Sequence, residues 1–352
     1  METIEVKTSR TYNVQLGQGL ISVLPQLTQP LCSGRKIGFI TDDTVDVLYA
    51  NKAAEAFQIC DYNVSKYVIP HGEGSKNIST LSEILEYFAQ CHFTRKDIFI
   101  SIGGGVIGDI TGLAAALYMR GIQFIQVPTT LLSIVDASVG GKTAVDLQAG
   151  KNLIGAFWQP SMVVADTQII ANLPDDIFAE GMAEVIKSDL IANAGIVKMI
   201  KAGTVKEHID QIVSSCINMK RDVVEQDEYE TKGLRKVLNM GHTVAHAIEI
   251  LSNYTVSHGI AVATGLVWEA KIACQLGLCG EQLVKEIQEA VEAFQLYYHV
   301  PYTVEAMVEA MKSDKKNDDY NIDFVFPITY GKWEERKLDT NKLKKIINTI
   351  NI

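Results

Sequence analysis

Histidines cluster in one stretch of the sequence, in a pattern that could bind a metal. Three of the seven histidines lie within seventeen positions: His242 and His246 in NMGHTVAHAIE, and His258 in VSHGIAVA. Residues four apart on a helix project from one face, so His242 and His246 could share a metal or divide ligation and proton transfer between them. Glu184 in GMAEVIKSDL is the best candidate for a carboxylate that completes a site with an open position. Two histidines and one glutamate suit zinc.

A structural explanation exists for the same residues. Two hydrogen-bonded histidines on a buried helix face, with a solvated Glu184, would be the favoured interpretation of an isolated H-x-x-x-H pair. We favour a metal site because a glycine-rich segment and several basic residues elsewhere in the chain indicate a cofactor and an anionic ligand.

The glycine-rich segment GGGVIGD lies between the apolar run DIFISI and the helical run ITGLAAALYMR. This glycine loop, residues 103–109, consists of Gly103, Gly104, Gly105, Val106, Ile107, Gly108 and Asp109. Glycines let the backbone approach a pyrophosphate closely, and the N–H groups at the start of the next helix receive its charge. The alternative is a glycine turn that only packs a helix on a strand.

Other polar residues fall where predicted strands end, and open α/β sheets bind ligands at such ends. They are Glu73 and Lys76 in PHGEGSK, Thr129 and Thr130 after FIQVP, and Lys151 and Asn152 in AGKNLIG. The acid for a ribose usually follows the glycine loop by about 20 residues, but the candidate here, Asp42 in FITDDTV, precedes it. The sequence therefore predicts a topology other than the standard Rossmann order.

Six basic residues could together bind a multiply anionic substrate. Each of them lies beside a glycine, at a strand end or near the proposed ligands. They are Arg120, Lys142, Lys151, Lys187, Lys220 and Arg235. Any single one of them would be interpreted as a solvated surface charge. As a set, they fit a phosphate and a carboxylate.

The elements that must position these residues form two predicted domains. In residues 1–173, short β-branched runs alternate with helical stretches, which predicts a mostly parallel α/β sheet with an antiparallel pair, IEVKT and YNVQLG, added at one edge. From Pro174 onward, helical spacing dominates through 176–194, 207–224, 239–251, 259–276 and 280–294, apart from a late extended piece, NIDFVFPITYG, and a closing helix over 340–347. A helical domain over 174–352 is therefore expected.

Composition excludes several classes of protein. The net charge of the 352-residue chain is −10, with 42 acidic and 32 basic side chains and no basic block, so nucleic acid is an unexpected partner. The six scattered cysteines lack a metal or disulfide pattern, which favours a reducing cytoplasm. A membrane-spanning helix needs about 18 consecutive apolar residues, and the sequence contains no such run. We therefore expect a soluble cytoplasmic protein.

The segments that carry these residues resemble the 3-dehydroquinate synthase family of sugar phosphate cyclases over nearly the whole chain. The most specific are GGGVIGD, RGIQFIQVPTTLLSIVDASVGGKTAVD, GKNLIGAFWQP, GMAEVIKSDLI, DEYETKGLRKVLNMGHTVAHAIE, SHG and SDKK. The resemblance implies a dehydroquinate synthase-like fold, in which a Rossmann-like NAD-binding α/β domain precedes an all-helical domain that binds metal and substrate.

The resemblance also implies an activity. The family converts 3-deoxy-D-arabino-heptulosonate 7-phosphate to 3-dehydroquinate and phosphate in the second step of the shikimate pathway, toward chorismate and the aromatic amino acids. This lyase reaction passes through transient oxidation by NAD, phosphate elimination, re-reduction and intramolecular aldol closure. NAD and zinc, with cobalt as an alternative metal, are the implied cofactors, and a homodimer is the implied assembly.

Roles for individual residues are implied in the same way. The zinc ligands would be Glu184, His242 and His258. The NAD site would consist of the glycine loop with Asp42, Glu73, Lys76, Thr129, Thr130, Lys142 and Lys151. Substrate would be handled by Asp136, Lys142, Asn152, Lys187, Lys220, Arg235, Asn239, His246, Lys315 or Lys316, and Arg120 reaching the neighbouring subunit's site. Of these, His246 would transfer protons and Arg235 would bind the carboxylate. The phosphate would be bound by Lys151, Asn152, Lys187 and Arg120.

Three alternatives remain at this point. Another sugar phosphate cyclase, acting on glucose 6-phosphate or sedoheptulose 7-phosphate, would share the NAD and zinc sites but would have no carboxylate to bind, against which Arg235 and Asn239 argue. A metal-dependent polyol dehydrogenase would not need the basic residues Arg120 and Lys187. An inactive scaffold would be expected to have lost ligands or loop glycines, and none of them is missing.

Overall fold

The computed structural model of the protein describes residues 1–312 and 320–350. The chain divides into two compact units. The first consists of Met1–Leu173 together with Lys220–Tyr229, and the second consists of Pro174–Met219 and the chain from Glu230 onward. Among the described residues, no helix has both the length and the apolar character needed to cross a bilayer.

A seven-stranded sheet organises the first unit. The strands of this unit are β1 (Glu2–Val6), β2 (Tyr12–Gly17), β3 (Ile37–Asp42), β4 (Val64–Ile69), β5 (Ile98–Gly103), β6 (Gln123–Pro128), β7 (Lys142–Leu147), β8 (Gly150–Phe157) and β9 (Met162–Asp166). The main sheet has the order β1-β2-β9-β6-β5-β3-β4. β1 and β2 pair antiparallel, whereas the other neighbouring strands are parallel. The predicted mostly parallel sheet with an antiparallel pair at its edge is confirmed.

Helices cover both faces of this sheet. They are α1 (Leu24–Cys32), α2 (Asp43–Val45), α3 (Asn51–Ile59), α4 (Ile78–Gln90) and α5 (Gly105–Leu117). Successive side chains of β5 point to opposite faces, so Phe99 packs in one core with Phe88, while Ile98 and Ile100 pack in another with Phe57. A parallel strand buried on both faces is nearly apolar throughout, which explains why Ser101 is the only polar residue of the run IFISI.

β7 and β8 form a separate antiparallel hairpin outside the main sheet. Lys151 and Asn152 lie near the start of β8 and therefore not at the carboxyl end of a parallel strand, where we placed them. The signal was misleading because most side chains of β8 are exposed or half-buried, which leaves no regular pattern of buried residues. The hairpin remains attached to the first unit because β7 packs against α5.

The second unit is built around one central helix. Its described helices are α6 (Asp175–Ala192), α7 (Ile196–Ala202), α8 (Ile209–Gln226), α9 (His242–Leu251), α10 (His258–Gln275), α11 (Glu281–Glu292), α12 (Val304–Lys312) and α13 (Thr340–Thr349), with the end of α8 counted in the first unit. α10 packs against α6, α9 and α11. All of its residues 261–270 are buried, as expected for a helix surrounded by others.

The second unit also contains an antiparallel hairpin, β10 (Asn321–Thr329) and β11 (Lys332–Asp339). The C-terminal unit is therefore rich in helix, as predicted, but it is not all-helical. The extended piece NIDFVFPITYG forms β10, but the polar run KWEERKLD gave no apolar alternation from which β11 could be predicted. Lys315 and Lys316 lie outside the described residues.

Candidate active site

Three helices of the second unit bring Glu184, His242 and His258 together. Glu184 lies within α6, whereas His242 and His258 are the first residues of α9 and α10. One ligand atom from each residue lies within 4.8 Å of the others. Oε1 of Glu184 is 3.7 Å from Nε2 of His242 and 3.5 Å from Nε2 of His258. Two ring nitrogens and a carboxylate in this arrangement could hold a divalent metal with a position left open.

Each of the two histidines is oriented through its other ring nitrogen. Nδ1 of His258 lies 3.3 Å from Oε1 of Glu249, and Nδ1 of His242 lies 3.1 Å from the carbonyl oxygen of Met240. An acceptor beside Nδ1 favours the tautomer that carries its proton there, which leaves the lone pair of Nε2 for a metal. Both lone pairs then face Glu184.

The charges around this cluster suit a metal ligand set. Burial would raise the pKa of Glu184, but the Lys187 ammonium together with His258 and His242 outweighs burial and holds the pKa of this carboxyl well below its usual value. Burial, assisted by Lys187, lowers the pKa of His242 to about 3 and keeps that ring neutral. Burial opposes the charged form of His258 too, yet its hydrogen bonds with Glu184 and Glu249 raise its pKa to about 10. A metal would have to displace this proton.

The other described residues predicted for the second unit lie on α9, just before α9 or on α6. His246 lies one turn after His242, with ring centroids 5.6 Å apart, as the spacing of four predicted. Arg235 and Asn239 lie in the 3-10 helix Leu234–Asn239 just before α9, and Arg235 is only 2% exposed. Lys187 forms an ion pair with Glu184 and donates a hydrogen bond of 2.9 Å to the carbonyl of Leu238.

A small cavity opens beside this cluster. Its volume is about 190 Å³, and His242, Asn239, Thr243 and Lys236 are among the residues that line it. The cavity thus brings one proposed metal ligand and one proposed substrate residue to the same space.

In the first unit, the glycine loop joins β5 to α5, as predicted. A Cβ on Gly103 would lie 2.4 Å from Cβ of Ile107, and one on Gly108 would lie 2.2 Å from Nε2 of Gln126, so these two glycines serve close packing. A Cβ on Gly104 would meet only the side chain of Thr130, at 3.4 Å. Gly104 precedes α5 with no side-chain cap, so the first N–H groups of α5 are available to an anion.

The other predicted cofactor residues lie mainly at the carboxyl edge of the sheet. Asp42 ends β3, and Thr129 and Thr130 follow β6; the Thr129 N–H donates to the carbonyl of Gly103 at 3.0 Å. Oδ1 of Asp42 also accepts hydrogen bonds from the backbone N–H groups that begin α2, so this aspartate caps a helix. Burial raises the pKa of its carboxyl despite these bonds.

A polar network links the glycine loop to the β7–β8 hairpin. Nζ of Lys76 lies 2.7 Å from Oδ2 of Asp109 and donates to Oδ1 of Asn152 at 2.6 Å. Burial disfavours the charged form of Lys76, but Asp109, Glu73 and Asp146 together outweigh burial and raise the pKa of Lys76. Lys151 lies 3.8 Å from Glu73. Residues that are distant in sequence are therefore gathered into one charged group within the first unit.

Two further predicted residues form a pair, and a third lies at the start of a strand. Lys220, only 6% exposed, lies 2.8 Å from Oδ1 of Asp136 and also donates to the Asp136 carbonyl. The segment Lys220–Tyr229 belongs to the first unit, so this pair lies within it. Lys142 is exposed at the start of β7.

Arg120 lies at the end of the segment that follows α5 and is exposed. Its φ is +67° and that of Met119 is +48°, so two consecutive non-glycine residues adopt the left-handed conformation. Leu117 and Met119, just before Arg120 in the chain, expose their apolar side chains. Such strain persists only where the surroundings or a function require it.

Sequence reasoning did not select Glu249. This residue lies seven positions after His242 on α9, and its carboxylate orients His258. The spacing of seven could have indicated it, because residues seven apart share a helix face.

Comparison with known proteins identifies the family of this chain. Residues 66–180 match the family described as "3-dehydroquinate synthase N-terminal", and residues 181–317 match "3-dehydroquinate synthase C-terminal". A 3-dehydroquinate synthase of Clostridium botulinum (strain Alaska E43 / Type E3) is 40% identical over 84% of this chain and 85% of its own length. One of Shewanella frigidimarina (strain NCIMB 400) is 40% identical over 86% of each chain.

Among solved structures, 2-deoxy-scyllo-inosose synthase complexed with carbaglucose-6-phosphate, NAD⁺ and Co²⁺ is 27% identical, with a TM-score of 0.88 over 98% of this chain and 99% of that one. The fold is therefore that of the sugar phosphate cyclases. With both family regions matched and relatives at 40% identity over most of the chain, this chain is an enzyme of the 3-dehydroquinate synthase family.

Proposed function

We propose that this enzyme converts 3-deoxy-D-arabino-heptulosonate 7-phosphate to 3-dehydroquinate and phosphate, with a divalent metal held by Glu184, His242 and His258 and NAD held at the glycine loop. The observation that carries the proposal is the convergence of these three ligands from three helices, in a chain that belongs to the 3-dehydroquinate synthase family. The structurally similar cyclase contains NAD⁺ and Co²⁺, which supports both cofactors.

The residues present fit both groups. An ionised glutamate, a neutral His242 and an outer carboxylate on His258 form a donor set typical of zinc or cobalt. The open space beside Gly104 and the uncapped start of α5 fit a pyrophosphate. When bound, the metal supplies Lewis acidity toward substrate hydroxyls and the nicotinamide accepts and returns a hydride.

The side chains of the second unit would orient the substrate and move its protons. We assign proton transfer to His246, because it lies beside His242 without belonging to the ligand cluster. Arg235 would bind the carboxylate, and Asn239, which lines the cavity beside His242, would contact the substrate together with Arg235. Lys187 would bind the phosphate once a metal shares the negative charge of Glu184.

In the first unit, the network around Lys76 would position the cofactor, and the β7–β8 hairpin would contribute to phosphate binding. Lys151 and Asn152 lie on that hairpin, and Asn152 accepts a hydrogen bond from Lys76, so phosphate and cofactor contacts would be coupled. The Asp136–Lys220 pair and Lys142 would hold other polar groups of the substrate. Fixing a flexible sugar acid in one conformer converts binding energy into orientation.

The activity is tested by measuring phosphate release from three substrates: the heptulosonate 7-phosphate, glucose 6-phosphate and sedoheptulose 7-phosphate. We expect release from the first alone, dependent on NAD and abolished by chelation, with no NADH accumulating. Release from a neutral sugar phosphate would favour another sugar phosphate cyclase, and stoichiometric NADH would favour a polyol dehydrogenase.

A homodimer in which Arg120 reaches the neighbouring site is part of the proposal. The left-handed backbone at Arg120 and the exposed Leu117 and Met119 support a contact surface there. Mixing inactive Arg120→Ala and Lys187→Ala subunits should restore activity, because one site of each mixed dimer would contain both wild-type residues. Proven subunit exchange without recovery would contradict this arrangement.

We also propose a cytoplasmic location, supported by the six free cysteines, two of which are fully buried. Fractionation of cells that express the tagged protein would test it, and recovery with an exported fraction would contradict it.

A further inference from the structure

A glutamate outside the proposed site contacts the start of α9, the helix that carries His242. Glu269 lies in the middle of α10 and is fully buried. Its Oε2 accepts a hydrogen bond of 2.7 Å from the backbone N–H of Gly241, the residue just before α9. The N–H groups of Thr243 and Val244, in the first turn of α9, also interact favourably with the carboxylate. None of the roles assigned above uses this residue.

The start of α9 lacks a cap of its own. Gly241 occupies the N-cap position with φ +81°, and no side chain from the preceding segment caps the helix. The first N–H groups of a helix need acceptors, which usually come from a serine, threonine, aspartate or asparagine at that position. Here the acceptor comes from a different helix, α10, so the bond that caps α9 also ties the two helices together.

A second contact ties the same helices one turn away. A Cβ on Gly265 would lie 2.0 Å from the carbonyl oxygen of Gly241, so the backbones of α9 and α10 approach each other directly at this point. A Cβ on Gly241 would in turn lie 2.9 Å from Cγ of Leu266. The first turn of α9 can therefore neither rotate nor slide along α10 without breaking one of these contacts.

We infer that Glu269 is a positioning residue for the metal centre, because it fixes the start of α9, where His242 lies, to α10, where His258 lies. This inference rests on the proposed metal site. Glu269 contacts no proposed ligand itself and acts only through the backbone of α9. If its contact is lost, the separation of the two histidine Nε2 atoms is no longer held at the value that a metal requires.

The chemistry of Glu269 predicts which substitutions matter. Burial raises its pKa to about 8, against the N–H groups of Gly241, Val244 and Thr243 that lower it. A buried acid without a role costs stability that an apolar residue would not. Because the carboxyl is largely uncharged near neutral pH, an amide of the same length can replace it as an acceptor, whereas a shorter or apolar side chain cannot.

The test measures zinc affinity of the full-length, metal-free protein by competition with a fluorescent chelator near pH 7. We expect Glu269→Ala and Glu269→Asp to weaken zinc binding by about 10- to 100-fold, the range for residues that orient metal ligands. Glu269→Gln should stay within about threefold of wild type, since only the acceptor is needed. The absorption spectrum of bound Co²⁺ should change in the first two variants and not in the third.

The matched control is Asp166→Asn in the first unit. Asp166 is 2% exposed and accepts backbone N–H bonds from Gly19, Ile21 and Gln168 at 2.8–3.0 Å, but touches no proposed metal ligand. The substitution Asp166→Asn should lower the melting temperature and leave zinc affinity unchanged.

Wild-type zinc affinity in folded Glu269→Ala, or in Glu269→Asp if the alanine variant does not fold, would overturn the positioning role. Glu184→Ala separates this failure from that of the metal site. If Glu184→Ala abolishes zinc binding while the Glu269 variants do not weaken it, only the positioning role is wrong. If Glu184→Ala binds zinc normally, the metal site is wrong and the inference is overturned with it.

Discussion

Glu249 Oε1 lies 3.3 Å from Nδ1 of His258, while Nε2 of the same ring lies 3.5 Å from Oε1 of Glu184. One imidazole therefore bridges a carboxylate proposed to bind the metal and a carboxylate that does not. This arrangement fixes the ring orientation and stabilises positive charge on it. The consequence is measurable even before any metal is added.

The first prediction concerns Glu249→Gln. Glu249 and Glu184 hold the pKa of His258 at about 10 in the metal-free protein, so removal of one negative charge should lower this pKa. NMR titration of the His258 ring would measure the shift, and zinc affinity should fall by about 10- to 100-fold. Glu281→Gln, at an exposed position in the first turn of α11, is the matched control. An unchanged His258 pKa in Glu249→Gln would contradict the bridging role.

The second prediction is that zinc binding releases a proton. The raised pKa of His258, about 10, means that the metal-free site holds a proton at neutral pH, and zinc must displace it. Affinity should therefore rise by up to about tenfold per pH unit between pH 7 and pH 9, because one proton competes with the metal. Calorimetry in buffers of different ionisation enthalpy would count the protons released.

The same raised pKa fixes the sign of a stability effect in the metal-free protein. The charged His258 contributes stability that is fully present below its unfolded pKa of 6.5 and is lost as pH rises toward 10. Zinc should remove this dependence, because the bound form of His258 is neutral. Zinc affinity that stays constant across this pH range would contradict both statements.

The sequence predicts those parts of the fold and the site that a local pattern marks, and it does not predict those that depend on contacts between distant residues. Residue types and local spacing were enough for the strands of the main sheet and for the cluster of histidines with Glu184, because strong periodicity and rare residues mark them. The family resemblance was needed to name His258 rather than His246 as the second histidine ligand. Glu269 was missed because a glutamate in an apolar helix becomes informative only once its packing partners are known, whereas Glu249 was missed although its spacing of seven from His242 could have indicated it. The β7–β8 hairpin was missed because most of its side chains are exposed or half-buried.

The glycine loop shows the same limit. Gly103, Gly104 and Gly108 look alike in the sequence, and both explanations that we considered, close packing and phosphate binding, fit each of them. The structure separates the glycines, because only Gly103 and Gly108 are pressed against neighbouring side chains. Packing and a ligand cradle therefore coexist in one motif, at different residues.

The third prediction follows from that separation. Gly104→Ala should fold with nearly wild-type stability, because its Cβ would meet only the Thr130 side chain, at 3.4 Å, but it should weaken NAD binding by at least about tenfold by filling the approach to the pyrophosphate. Gly103→Ala should instead lower the melting temperature, because its Cβ would overlap Ile107. Thermal unfolding and NAD titration of both variants would separate the effects. NAD affinity unchanged in Gly104→Ala would contradict the assignment of the loop.

The last prediction concerns substrate choice, which we assign to Arg235. A planar guanidinium can hold a carboxylate by two parallel charge-assisted hydrogen bonds, whereas the hydroxymethyl group of a neutral sugar offers no such partner. Arg235 is 2% exposed in the segment just before α9, so its environment keeps the fork in place. Arg235→Lys keeps the charge but loses the fork, and should weaken transition-state binding by about 1.5–3 kcal/mol.

The measurement is kcat/KM for the heptulosonate substrate and for sedoheptulose 7-phosphate, with zinc and NAD affinities determined in parallel. Arg35→Lys is the matched control, since Arg35 lies just before β3 and donates to Oε1 of Gln123 at 2.6 Å, away from the residues assigned to cofactor or substrate. We expect Arg235→Lys to lower kcat/KM for the acid alone, while zinc and NAD binding stay unchanged. Nearly wild-type turnover of the acid by both Arg235→Lys and Arg235→Ala would show that the carboxylate is bound elsewhere, and a cyclase for a neutral sugar would then become the better explanation of the site.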